Sequence, residues 1–155
     1  MLLKILGEGS LCRLMERFCG LLMIAGGLFL VGLPWILRFY FNFKGHAGMT
    51  LYVTMLVVLY VSGLCGMLIL WQGKQILRNI NASDPFTGDT AQRMRRIALL
   101  CLPVAAVYLL ATILMPSMLV VLVGIVFLFL AALAAILAEV FLQAARFKQE
   151  NDLTI

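Results

Sequence analysis

The sequence predicts an all-α membrane protein of four antiparallel transmembrane helices, N-in/C-in, with helices two and four extended into the cytoplasm. Three observations carry this reading. Of the 155 residues, 64% are hydrophobic and only 12% are charged, and the mean hydropathy is +1.08. A soluble domain carries about 25% charged residues and has helices apolar on one face only. The apolar residues gather in four runs, 18–37, 51–71, 97–115 and 119–141, each near the ~20 residues needed to cross a hydrocarbon core. Ten of the twelve Lys and Arg residues fall at the N-terminus (Lys4, Arg13, Arg17), in the second connection (Lys74, Arg78, Arg93, Arg95, Arg96) and in the tail (Arg146, Lys148). Only Arg38 and Lys44 lie on the opposite side, so the positive-inside rule places both termini in the cytoplasm of a multi-pass cell-membrane protein. No long polar segment offers a second domain, and residues 1–155 are expected to form one helical bundle.

In chain order, Ser10 is a candidate N-cap, and Leu11, Leu14, Met15 and Phe18 follow at helical spacing with Arg13, Glu16 and Arg17 on the other face. That pattern predicts a short interfacial helix before the first span. A cleaved signal peptide is the rival, but the apolar run is too long for one and no A-x-A site follows. In the first span Gly26, Gly27 and Gly32 allow close approach of a neighbour, and Pro34 removes a backbone bond. Trp35, Arg38 and Tyr40 mark an interface. The second span presents Ser62-x-x-x-Gly66 as a small-residue packing face. Its helix is expected to continue through 73–80, beyond the hydrocarbon, until Asp84-Pro85 ends it.

The third span enters through Arg93–Arg96, with Thr87 or Asp89 as its cap, and carries Pro103. Met115-Pro116-Ser117 makes a tight reversal into the fourth helix. There Gly124, Ala131, Ala135 and Ala138 form a small-residue seam for a partner helix. From Glu139 a polar stripe continues through Gln143, Arg146 and Glu150. The emerging segment 141–149 is therefore expected to pack against 73–80.

Two stretches carry a resemblance. One is Asp84-Pro85-Phe86-Thr87 followed by Gln92-Arg93-Met94-Arg95-Arg96-Ile97-Ala98. The other is Ala138-Glu139-Val140-Phe141 followed by Lys148-Gln149-Glu150-Asn151-Asp152-Leu153-Thr154-Ile155. Together they resemble a bacterial family of four-helix integral membrane proteins known only as a domain of unknown function. In that family an Asn-Pro-Phe pattern precedes a basic helix, and a glutamate-rich helix ends in Asp-Leu-Thr-Val/Ile. Here Asp84 replaces the Asn, and Ala144-Ala145 stands where many members have Gln-Gly. The resemblance implies a bacterial inner-membrane location and a partnership with the small Cro-type helix-turn-helix regulator often encoded beside such proteins. It supplies no reaction.

The candidate functional residues lie on the predicted cytoplasmic side. Asp84, Pro85, Phe86, Arg93, Arg95, Arg96, Glu150, Asp152 and Ile155 form a candidate partner-binding set. The plain alternatives are that the arginines are only topology signals, or an anionic-lipid patch, and that the tail frays. Glu139 lies ~31 Å along its helix from Met118, at the margin of the core rather than its midplane. It is expected to form a structural ion pair with Arg93 or Arg96, the alternative being a proton-coupled site.

Tyr60 and Tyr108, with Thr54, Thr112 and Ser62, suggest a small-molecule pocket; the plain reading is bonding to helix backbone. His46 is a lone histidine, the four cysteines (Cys12, Cys19, Cys65, Cys101) have no metal-like spacing, and no Gly-rich phosphate loop or nucleophile–base set occurs. The expectation is a non-enzymatic regulator or anchor for a cytoplasmic partner such as a small helix-turn-helix regulator, with no cofactor or metal. The partners expected are the lipid bilayer, that cytoplasmic protein, no nucleic acid directly, and a further copy of the chain if it forms a homo-oligomer. The alternative is a small oligomeric membrane transporter or channel.

Overall fold

The computed structural model describes residues 10–44, 48–81 and 88–152. The protein is all-α, with α1 (Ser10–Lys44), α2 (Met49–Asn81), α3 (Gly88–Leu114) and α4 (Met118–Asp152). Each is long and apolar enough to cross a membrane. At 1.5 Å per residue they reach ~40 to ~52 Å, so each exceeds a ~30 Å hydrocarbon core. Successive helices run antiparallel: contacts move up one helix as they move down the next, with Leu30 beside Gly63, and Leu109 beside Gly124.

The helices stand in an open row. α1 packs on α2, α2 on α3, and α3 on α4; among the described residues no pair of helices out of chain order meets. The chain is thus a layer one helix thick, and this corrects one expectation. Residues 73–80 and 141–149 are helical as expected, but they do not touch, because α3 stands between α2 and α4. The expected interfacial helix is also not separate: α1 is one continuous rod from Ser10 through Pro34 to Lys44. Large apolar side chains such as Leu28, Val31, Phe129 and Ile136 remain exposed along the row. An apolar solvent accommodates them, because a helix bonds its backbone within its own segment apart from the donors missing at Pro34 and Pro103.

Small residues set how closely neighbours approach. At the α1–α2 contact, a Cβ placed on Gly63 would lie 2.5 Å from Leu30 Cδ2, and one on Gly26 would lie 3.2 Å from Met67 Sδ. Gly63 therefore receives Leu30, and the Gly26–Gly27 notch receives Met67. Nothing lies within 4 Å of such a Cβ on Gly66, and the Ser62 hydroxyl donates back to the carbonyls of Val58 (2.8 Å) and Leu59 (3.2 Å). The Ser62–Gly66 pair is thus not the point of closest approach, and the glycine one residue after Ser62 makes the contact. Gly32 meets only Ile36 of its own helix.

The α3–α4 pair is built differently. Ala91, Ala98 and Ala105 on α3 and Gly124, Ala131, Ala138 and Ala145 on α4 are buried at seven-residue intervals. Small residues on both sides let the backbones approach. Ala134, not the expected Ala135, completes the seam; Ala135 is exposed. Near the reversal Tyr108 stacks on Phe127 with ring centroids 6.4 Å apart. The Met115 amide donates to the Ala111 carbonyl, and the Val120 amide donates to that of Ser117, which ends one helix and starts the next within three residues.

Candidate functional site

Polar side chains collect at one end of the row, where α2 finishes and α3 begins. Gln72 and Asn79 are seven residues apart on α2 and so share one face. Asp89 and Arg93 are four apart in the first turns of α3, an acid followed by a base in the favourable order. Packing the two faces closes a clasp. Arg93 Nε donates to Asp89 Oδ2 at 2.8 Å, and Asn79 Nδ2 donates to the same oxygen at 3.0 Å. Arg93 Nη1 donates to Gln72 Oε1 at 3.4 Å. One carboxylate oxygen and one guanidinium thereby bridge both helices. These bonds hold the Asp89 carboxyl below its ordinary value, the Arg93 bond contributing most and the Asn79 bond next. Beside the clasp, Thr90 is completely buried on the inner face of α3.

The clasp corrects the expected pairing of Glu139. Among the described residues no ion pair joins Glu139 to Arg93 or Arg96. Arg93 is turned to α2, whereas Arg95, ~200° around the helix from it, faces along α4. Glu139 instead shares a recess of about 320 Å³ with Arg95 and Gln92, floored by Ala91 and Ala138. Arg95, Arg96 and Glu139 are exposed. Across the row a recess of about 300 Å³ between α1 and α2 is lined by Glu16, Trp71, Lys74 and Arg78.

The other candidate residues fall as follows. Asp84, Pro85, Phe86 and Ile155, together with Thr87 and His46, lie outside the described residues. Glu150 is exposed near the end of α4; Asp152 closes that helix, and its side chain lies outside the described part. Two helix ends locked by the clasp therefore flank residues 82–87. In the apolar stretches, Thr54 and Thr112 donate to the carbonyls four residues back, of Thr50 and Tyr108. These polar groups satisfy themselves locally.

Sequence reasoning missed Gln72, Asn79 and Thr90. The spacing of Asp89 and Arg93 was visible as a helix-start signal, but their partners across α2 are set by packing. Chemically the assembled groups are amides, a carboxylate and guanidinium ions, suited to holding and recognising. Among the described residues no group of three His, Cys, Asp or Glu side chains gathers as a metal set would. No curated protein and no solved structure matches the chain. A family model, described as a protein of unknown function (DUF2975), matches residues 29–155. From Phe29, part-way along α1, the helices, the clasp and the tail lie within that match, and the chain belongs to this family of proteins of unknown function.

Proposed function

We propose that the protein is a membrane anchor that holds a soluble regulator at the polar end of its helix row, with both termini and the 82–87 connection in the cytoplasm. The observation that carries the reading is the clasp. It ties together the two helix ends on either side of residues 82–87, and a solvated spacer has no need of such a base. A preorganised base lowers the ordering cost of binding. Arg95 and Arg96, exposed on the following turns, add positive charge next to that connection. The family resemblance points to a small helix-turn-helix protein as the occupant.

The oligomeric transporter or channel reading needs a polar path at mid-depth. The Thr54, Ser62 and Thr112 hydroxyls there bond their own helices, and the charged groups lie at the end of the row, which favours the anchor.

The test is co-expression with a small helix-turn-helix regulator of the kind the resemblance implies, taken from the neighbouring genes, followed by fractionation. The regulator should sediment with membranes containing the intact chain. It should become soluble with Phe86→Ala, while the variant chain stays at normal abundance in the membrane. A regulator that stays soluble with the intact chain, or sediments equally with Phe86→Ala, would refute the proposal. Reporter fusions test the orientation: either terminus should be active only in the cytoplasm, and a fusion at His46 only outside it.

A further inference from the structure

On the side of α3 away from the clasp, a groove runs down the α3–α4 pair. Its upper part is the recess of about 320 Å³ containing Arg95 and Glu139. Its lower part is an apolar recess of about 360 Å³, walled by Leu102 and Leu128 and floored by Ala98, Ala131 and Ala135. Arg95 lines both, so the two parts meet at this residue. Arg95 lies 19 residues from Leu114, and Glu139 lies 21 from Met118. At 1.5 Å per residue that is ~29 and ~32 Å from the reversal, one hydrocarbon thickness of ~30 Å. Both charges therefore sit at headgroup depth, and the apolar trough runs from them toward the bilayer centre. Among the described residues neither side chain takes part in an ion pair or hydrogen bond.

We propose that this groove binds a phospholipid with a primary ammonium headgroup, its phosphate on Arg95, its ammonium on Glu139, and one acyl chain in the trough. Opposite charges lining one recess match a head that carries both signs. A guanidinium is a planar fork of donors suited to phosphate. A carboxylate accepts from a primary ammonium, which has three N–H donors. An anionic glycerol headgroup would leave Glu139 facing further negative charge, and a choline headgroup has no N–H to donate. The small residues in the groove floor leave room for a chain between the walls of α3 and α4.

The experiment uses native mass spectrometry of the full-length chain, released from nanodiscs holding equal parts phosphatidylethanolamine, phosphatidylglycerol and phosphatidylcholine. The intact chain should retain the ethanolamine lipid about tenfold over either competitor, the scale of one charge-assisted hydrogen bond. Glu139→Gln should abolish the preference over choline lipid while phosphate-bearing lipids are still retained. Arg95→Gln should lower retention of all three, and Ala135→Leu, which fills the trough without altering charge, should do the same. Equal or stronger retention of the glycerol lipid, or a preference unchanged in Glu139→Gln, would overturn the site. So would a lipid-free dimer with the groove closed by a second copy. The comparison of ethanolamine with choline lipid on the intact chain needs no variant and stands if one fails to fold.

Discussion

The two hairpins of the row solve one problem in different ways. In α1–α2 a few large side chains enter single notches: Leu30 meets Gly63, and Met67 meets Gly26 and Gly27. In α3–α4 one such notch, Gly124 facing Leu109, lies near the reversal, and beyond it small residues recur every seventh position on both helices from Ala91 to Ala105 and from Gly124 to Ala145. Lipid tails are as apolar as leucine, so burial alone does not drive helices together; close fit and polar bonds do. The first pair concentrates its fit at two sites where a flexible side chain has room to yield. The second spreads it along the backbone, where nothing gives way easily. The lesson is that a glycine notch should tolerate change better than an alanine seam.

The largest effect expected is therefore in the seam. Ala131→Leu, or Ala98→Leu, inserts three heavy atoms between closely spaced helices and should destabilise the protein by ~1–3 kcal/mol. Unfolding in mixed detergent measures this, and a loss no greater than that of an exposed Ala132→Leu control would break the comparison. Next comes Gly63→Ala, whose new Cβ would meet the tip of Leu30. The cost should be smaller, about 1 kcal/mol, and Leu30→Ala in the same chain should recover part of it. Failure of the second substitution to compensate would mean that this notch does not define the α1–α2 contact.

The clasp joins the two hairpins, and it is a polar joint at the rim. Asp89→Asn removes the charge that Arg93 and Asn79 share. Because the Asp89 side chain is 50% exposed, the loss should be under ~1 kcal/mol and should shrink with added salt. Its pH dependence follows from the sign of the shift. The folded-state value of Asp89 is depressed, so the stabilisation is complete above the unfolded carboxylate value of about 3.9. It is lost as pH falls through the lower folded value. The same titration on Asp89→Asn should lack that step. The smallest effect belongs to Gly66→Ala, which meets nothing within 4 Å. It should be neutral or stabilising by about 0.5 kcal/mol, since alanine is the better helix former. A cost equal to that of Gly63→Ala would erase the distinction between the two glycines.

The contrast between Gly63 and Gly66 also shows how far a sequence can be read. Both glycines are visible in the second apolar run, and a small-xxx-small spacing favours the pair Ser62–Gly66. Which stripe faces a neighbour depends on the rotation of the helix about its axis, and ~100° separates adjacent residues. In a helix apolar all round, no periodic polar face reports that rotation. In α4 the seam was legible through Gly124, Ala131 and Ala138 because seven-residue spacing repeats along one side. Ala135 was assigned to it because it neighbours Ala138 in that pattern, while Ala134 holds the place.

Local chemistry alone determined the four helices, the tight turn at Met115–Ser117 and the gathering of charge at one end. Each follows from run length, a proline or the cost of moving a charge into lipid, and none needs a distant partner. Only the tertiary structure decided that the helices stand in a row, that Arg93 bonds Asp89 and Gln72, and that Glu139 shares its recess with Arg95. Two residues on α3 only two positions apart point ~200° from each other. A glutamate on α4 meets one or the other according to which side of α3 the fourth helix lies on, and apolar surfaces alike on every side leave that choice to packing.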